Sequence, residues 1–266
     1  MIAFRWARWK RTQTSTTNKL VARLKLTIAY DGRGFHGWQS QAGRNTIQDN
    51  LEEAFHRLTG ERIRLHGSGR TDAGVHALGQ VAHVDVSDPA RTPERWINAL
   101  NALLPTSIRV LRARYVASTF HARYSARGKT YRYRIWAGSV ASPFEEGRAW
   151  HISGPFDFAL FALALRQFVG KHDFSAFAAK RGQKEENTIR RVHSARTRKS
   201  GALLVAEVSG EGFLYKMVRL MVGAAARCAM GKLPLESITE RLKSPEIRQS
   251  RYVAPASGLY LFRVRY

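Results

Sequence analysis

The chain has 266 residues, 44% hydrophobic and 24% charged, with 21 glycines and 8 prolines, which suits one large or two ordinary domains with a real core and excludes a disordered or fibrous chain. Lys and Arg number 44 against 20 Asp and Glu, a formal charge of +24, so a polyanion, above all nucleic acid, is the expected partner. The single cysteine, Cys228, excludes an intramolecular disulfide and a thiolate zinc cluster, and no run approaches the roughly 18 apolar residues of a membrane span.

Residues 1–23 carry Arg5, Arg8, Lys10, Arg11, Lys19 and Arg23 without an acid, a basic arm that suits an RNA-contacting tail and shares its composition with a transit peptide. No signal-peptide apolar region follows the start, so the expected location is the cytoplasm, with an organelle as the alternative. Order is expected from Leu24, where Leu24, Leu26, Ile28 and Tyr30 alternate with Lys25 and Thr27 as in a half-buried strand. After a glycine-rich loop, Thr46 precedes Asp49 at capping-box spacing. Ile47, Leu51, Ala54, Phe55 and Leu58 then give a helical stripe that Gly60 stops.

A strand follows at QVAHVDV, a helix opens at Thr92 and Pro93, and SIRVLRARYV and GKTYRYRIWAG read as strands. PFDFALFALALRQFVG predicts a helix ending at Gly170, LLVAEVSG a strand, and FLYKMVRLMVGAAARCAMG a long helix ending at Gly231, whose apolar residues around Cys228 mark a buried, inert thiol. Pro234 opens a last short helix and GLYLFRVRY closes as a strand. The rough recurrence of helix, strand, helix, strand predicts an α+β (mixed α/β) fold. Two similar domains, 24–117 and 118–266, surround a largely antiparallel central sheet flanked by helices, with a cleft between them.

From Arg95 to Phe144 no Asp or Glu occurs, while Arg109, Arg112, Arg114, Arg123, Arg127, Lys129, Arg132 and Arg134 accumulate among Tyr115, Phe120, Tyr124, Tyr131, Tyr133 and Trp136. Cations interleaved with flat rings suit RNA, whose unpaired bases stack on aromatic faces. The alternative is a solvated charged face over rings that line a strand's core side.

The stretch GSGRTDAGVHALGQVAHVD, residues 67–85, has three glycines in its first eight residues, and Asp72 stands among them. It lacks the lysine and hydroxyl pair of a phosphate-cradling P-loop, and a strand rather than a helix follows, against a dinucleotide fingerprint. His66, His76 and His83 lie close by, but no helical spacing pairs them, so no metal is expected. On the residues alone, Asp72 is a turn-former satisfying local amides or a single acid beside Arg70 on a backbone that a ligand can approach closely.

GSGRTDAGVHA closely resembles the signature of the tRNA pseudouridine synthase A family, which usually reads GAGRTDAGVHA; Ser68 is the departure. YDGRGFHGWQSQ, FHARYSARGKTYRY, MVRLMVG and APASGLYLFRVRY resemble further family blocks in the same order, so the likeness runs from about Leu24 to Tyr266. The resemblance implies an isomerase that converts uridine to pseudouridine at tRNA positions 38, 39 and 40 in the anticodon stem-loop. It needs no cofactor and acts as a homodimer gripping one tRNA. It implies that Asp72 is the nucleophile, Tyr131 the active-site tyrosine that meets the base, Arg70 the arginine beside the nucleophile, Arg219 the basic partner of the aspartate, and Leu259 an apolar residue under the base. Phe120, His121, Ala122, Arg123 and Tyr124, together with the loop Lys180, Arg181, Gly182, Gln183 and Lys184, are the candidates for gripping RNA outside the pocket.

Overall fold

A computed structural model describes residues 21–43, 45–179, 187–244 and 250–266. In chain order the elements are β1 (Ala22–Tyr30), α1 (Ile47–Thr59), β2 (His66–Gly67), β3 (His76–Val86), α2 (Pro93–Leu103), β4 (Ile108–Val116), β5 (Gly128–Ala137), β6 (Trp150–Ile152), α3 (Phe158–Arg166), β7 (Gly170–Asp173), β8 (Ile189–Ser200), β9 (Leu203–Gly210), α4 (Met217–Ala229), α5 (Glu236–Lys243) and β10 (Leu259–Arg265). All ten strands join one sheet in the order β4-β1-β3-β10-β5-β9-β8-β7, with β2 beside β3 and β6 beside β5. The pairings are antiparallel except β10 with β3 and β6 with β5. This is the mixed α/β architecture expected from the pattern.

The helix starts follow the capping chemistry of the sequence. The Thr46 hydroxyl accepts from Asp49 N and Gly60, at φ 73°, closes α1; Thr92 caps α2 with Pro93 in its first turn, and Asp157 caps α3.

Three expectations need correction, and one strand stands where none was expected. The basic arm gives way to strand at Ala22, two residues early, because Arg23 is held by Asp85 across the β1–β3 ladder, Nε to Oδ1 at 2.7 Å. The helix expected to reach Gly170 stops at Arg166: Phe168 turns into the core and Gly170, at φ 130°, starts β7. The helix expected from Phe213 starts at Met217, because Lys216 takes a left-handed conformation at φ 58°. Finally β8 went unseen: only Val192 and Ala195 of its twelve residues are buried, and a bulge between Val192 and Ser194 breaks the alternation.

Two apolar clusters form the core. One packs α1 and α2 on β1, β3 and β4 through Leu26, Ile28, Phe55, Trp96 and Leu100. The other packs α3 and α4 on β5, β8 and β9 through Ile135, Phe161, Met221 and Leu204, and buries Cys228. Strand β10 is the seam: Leu261 stands opposite Ala77 of β3 on one side and Tyr131 of β5 on the other. Directly opposite residues share a sheet face, so both helix pairs lie on the same face. Tyr131, packed partly against both clusters, sits between them.

Candidate functional site

The aspartate loop joins β2 to β3 and is clamped from several sides. The Trp38 amide donates to the Thr71 carbonyl at 3.1 Å, and the Thr71 and Tyr30 hydroxyls lie 2.8 Å apart in the interior. Burial pushes the Tyr30 phenol well above the usual tyrosine range. The Val75 amide donates to the Asp72 carbonyl at 3.1 Å, closing a tight turn in which Gly74 takes φ 75°.

The other two glycines serve clearance rather than a special backbone conformation. A Cβ on Gly67 would meet the Trp38 ring at 2.4 Å, and one on Gly69 would meet Lys129 Nζ at 2.8 Å. Ser68 also gains a reason. Fully buried, it donates its hydroxyl to Gln80 Oε1 at 2.7 Å, while Gln80 Nε2 donates to the Gly69 carbonyl at 2.9 Å, so serine ties the loop to β3.

The Asp72 carboxylate, 24% exposed, accepts from Arg219 Nη1 at 3.0 Å; Arg219 is 14% exposed. Arg219 stands in the first turn of α4 and donates Nε to the Ala254 carbonyl at 2.7 Å, while Ala254 N donates back to the Arg219 carbonyl at 3.1 Å. The guanidinium is thus oriented before any ligand arrives.

Tyr131, from β5, packs edge-on to Phe213 with ring centroids 5.2 Å apart. Burial, and then the nearby Asp72 carboxylate, push its phenol well above the ordinary tyrosine range, so it is protonated at neutral pH. Leu259 is buried at the start of β10 opposite Tyr133. Arg70 is exposed, its Nε donating to Gln39 Oε1 at 3.1 Å.

The segment 120–124 divides into anchors and exposed groups. Phe120 packs on Tyr266 and Lys25, and Ala122, fully buried, donates its amide to His83 Nδ1. His121 packs against Tyr124 and His83, while Arg123 and Tyr124 face outward, Tyr124 at 77% exposure. The candidate loop Lys180–Lys184 lies outside the described residues.

Sequence reading missed His76 as a fastener. Its Nδ1 accepts from Gly32 N at 3.1 Å, and Nε2 reaches the carbonyls of Gly147 at 3.2 Å and Ser257 at 3.1 Å. Burial lowers its pKa, in keeping with a neutral ring carrying its proton on Nε2. The ring stacks on Tyr260 of β10, so it binds the start of β3 to the seam. Among the described residues no group of three His, Cys, Asp or Glu side chains is placed to hold a metal ion, and no helix is long and apolar enough to cross a membrane.

A family model described as tRNA pseudouridine synthase matches residues 26–125 and 164–266. The chain belongs to the tRNA pseudouridine synthase family. Proteins named tRNA pseudouridine synthase A are similar over nearly its whole length. That of Akkermansia muciniphila is 47% identical over 253 residues, covering 92% of this chain and 96% of that one. That of Maridesulfovibrio salexigens is 43% identical over 250 residues, covering 92% and 91%, and that of Methylacidiphilum infernorum 42% over 250 residues, covering 94% and 97%. As a member of the tRNA pseudouridine synthase family, the chain is an isomerase of uridine in tRNA. The reaction breaks the C1′–N1 glycosidic bond, turns the uracil and forms a C1′–C5 bond, with N1 gaining a proton and C5 losing one. It needs a way to hold the loosened base and a proton path.

Proposed function

We propose that this enzyme acts on uridines 38, 39 and 40 on the 3′ side of the tRNA anticodon stem-loop, with Asp72 as its nucleophile. The observation that carries the reading is the Asp72–Arg219 pair, 3.0 Å apart, on a clamped loop beside Tyr131 between the two helix layers. Arg219, itself fixed by the Ala254 carbonyl, holds the Asp72 side chain in place through a charge-assisted hydrogen bond. The carboxylate is then available to attack the uridine.

A nucleotide in or beside a stem must leave it to reach this loop, at a cost of a few kcal/mol. Arg70, exposed next to the aspartate, fills the vacated space and holds phosphate. Tyr131 stacks on the extruded uracil, supplying on the order of 1–3 kcal/mol. Its protonated phenol can pass on its own proton as it accepts the one leaving C5. Leu259 lies under the base. Arg123 and Tyr124 grip RNA outside the pocket on a segment anchored by Phe120, His121 and Ala122. The basic composition of Lys180–Lys184 and the likeness to the family support the same role for that loop, a homodimer on one tRNA, two domains divided near residue 117, and a cytoplasmic location. The homodimer is tested by light scattering with and without tRNA.

The decisive experiment replaces Asp72 by Asn. Pseudouridine formation on tRNA is expected to vanish while tRNA binding stays within a few-fold, because the basic surface supplies affinity. Turnover comparable to the wild type would remove Asp72 from the mechanism.

A further inference from the structure

Lys129 differs from the other cations of β5 in its surroundings. Alternation along β5 puts it on the same side as Tyr131, two residues away, on the helix-bearing face of the sheet rather than the outer one. Its Nζ rests over Gly69, where a Cβ would come within 2.8 Å, so it touches the loop that carries Arg70 and Asp72. Among the described residues no carboxylate makes an ion pair with it and no oxygen accepts a hydrogen bond from it. The other β5 cations on the outer face are matched: Arg132 pairs with Glu207 at 2.8 Å and Arg134 with Glu145 at 2.5 Å. Leaving an ammonium half-buried and unpaired disfavours the folded state. A lysine kept there for packing alone would extend its head to bulk water, not lay it on a glycine of the aspartate loop.

We propose that Lys129 is a phosphate-binding residue that holds one backbone phosphate of the RNA beside the nucleotide delivered to Asp72. This rests on the proposed reading of the cleft and adds the contact that positions the sugar. The charge that acts on it is that of Arg123, from the connection before β5, and the loop it touches at Gly69 carries Arg70 and Asp72. Arg123 and Lys129 together offer a monoanion two cations, with Gly69 leaving room for the oxygens.

Burial, and then the charge of Arg123, bring the Lys129 ammonium down to about 8. The charge is therefore present below about pH 8 and fades above it. A bound phosphate opposes that loss.

The test measures tRNA binding in the inactive Asp72→Asn protein, so that turnover does not intervene, across salt and from pH 7 to 9.5. With Lys129 intact, binding is expected to weaken as pH rises through about 8. Lys129→Met keeps the stem without the charge and is expected to reduce the slope of log K against log salt by about 0.7–0.9 and to abolish the alkaline weakening. Lys129→Arg is expected to keep the slope and also abolish the weakening, since guanidinium stays charged. In the active enzyme, Lys129→Met is expected to raise KM more than it lowers kcat, with Lys129→Arg restoring most of the loss. An unchanged slope and pH profile in Lys129→Met, or persistent weakening near pH 8 in Lys129→Arg, overturns the proposal. A wild-type protein that neither binds nor modifies tRNA would overturn instead the reading of the cleft on which it rests.

Discussion

Arg219 is aimed at Asp72 by a backbone contact that a single methyl group would disturb. Gly223 lies one helical turn after Arg219 on α4, and a Cβ there would sit 1.8 Å from the Tyr252 carbonyl oxygen and 3.2 Å from Ala254 N. The neighbour is main chain, so relief requires segment 252–254 to move by more than an ångström. That segment carries the Ala254 carbonyl that accepts from Arg219 Nε at 2.7 Å. Gly223→Ala is therefore expected to cost about 1–3 kcal/mol of stability from overpacking. Displacement of the guanidinium by about 1 Å is expected to lower kcat on the order of 100-fold. The basic surface is untouched, so tRNA binding should hold within a few-fold. Gly154→Ala is the control, since no heavy atom lies within 4 Å of its added Cβ. Turnover read by release of tritium from C5 of labelled uridines, with urea unfolding in parallel, separates the two effects. If Gly223→Ala turned over within threefold of the wild type, α4 and the 252–254 segment would not be what orients Arg219.

Two further outcomes follow from groups around the site. Burial, and then the charges of Arg23, His121 and His66, hold His83 down to about 4, below its ordinary value near 6.5. Between those values the unfolded chain binds a proton that the folded chain does not, so stability is lost as pH falls from about 6.5 towards about 4, by up to about 3 kcal/mol. His83→Asn should flatten that limb, and parallel urea curves for both proteins at pH 7 and 4.5 would refute the assignment. Ser68→Ala removes the hydroxyl held by Gln80, whose Oε1 still accepts from Val81 N at 3.2 Å. A loss of about 1 kcal/mol in urea unfolding with unchanged kcat is expected, and a large fall in kcat would show that the tether sets the aspartate's position.

What the sequence disclosed depended on how local the signal was. Thr46, Thr92, Pro93 and Gly60 announce helix ends through their own backbone chemistry, and Leu24 to Tyr30 alternate cleanly, so β1, α1 and α2 were legible within two residues. The start of α4 was not, because Lys216 is left-handed and lysine does not advertise that conformation. The basic strand β8 hid behind its own charge. In the site, Asp72, Tyr131 and Arg219 were readable only through motif likeness, since 147 residues separate the aspartate from the arginine it meets. Lys129 was visible merely as one cation among eight, because pairing on the outer sheet face and its absence in the cleft are properties of the folded sheet.

The position of β10 explains how such distant residues share one site. Asp72 sits in the loop before β3 and Tyr131 lies on β5, so their separation is set by the one strand between them. That strand fixes register on both sides at once, with Tyr260 opposite His76 and Arg132, and Leu261 opposite Ala77 and Tyr131. A slip of one residue would turn Leu261 to the outer face and put the larger ring of Tyr260 or Phe262 in its place. The His76 ring, stacked on Tyr260 and bonded to the Ser257 carbonyl, fastens the strand's entry against that slip. Gly79→Val would bring a Cβ within 2.6 Å of the Phe262 carbonyl oxygen and would push β10 from β3 at the same seam. The separation of Asp72 from Tyr131 is thus a property of strand pairing, and the glycines and histidine of the aspartate motif serve that pairing as much as they serve the aspartate.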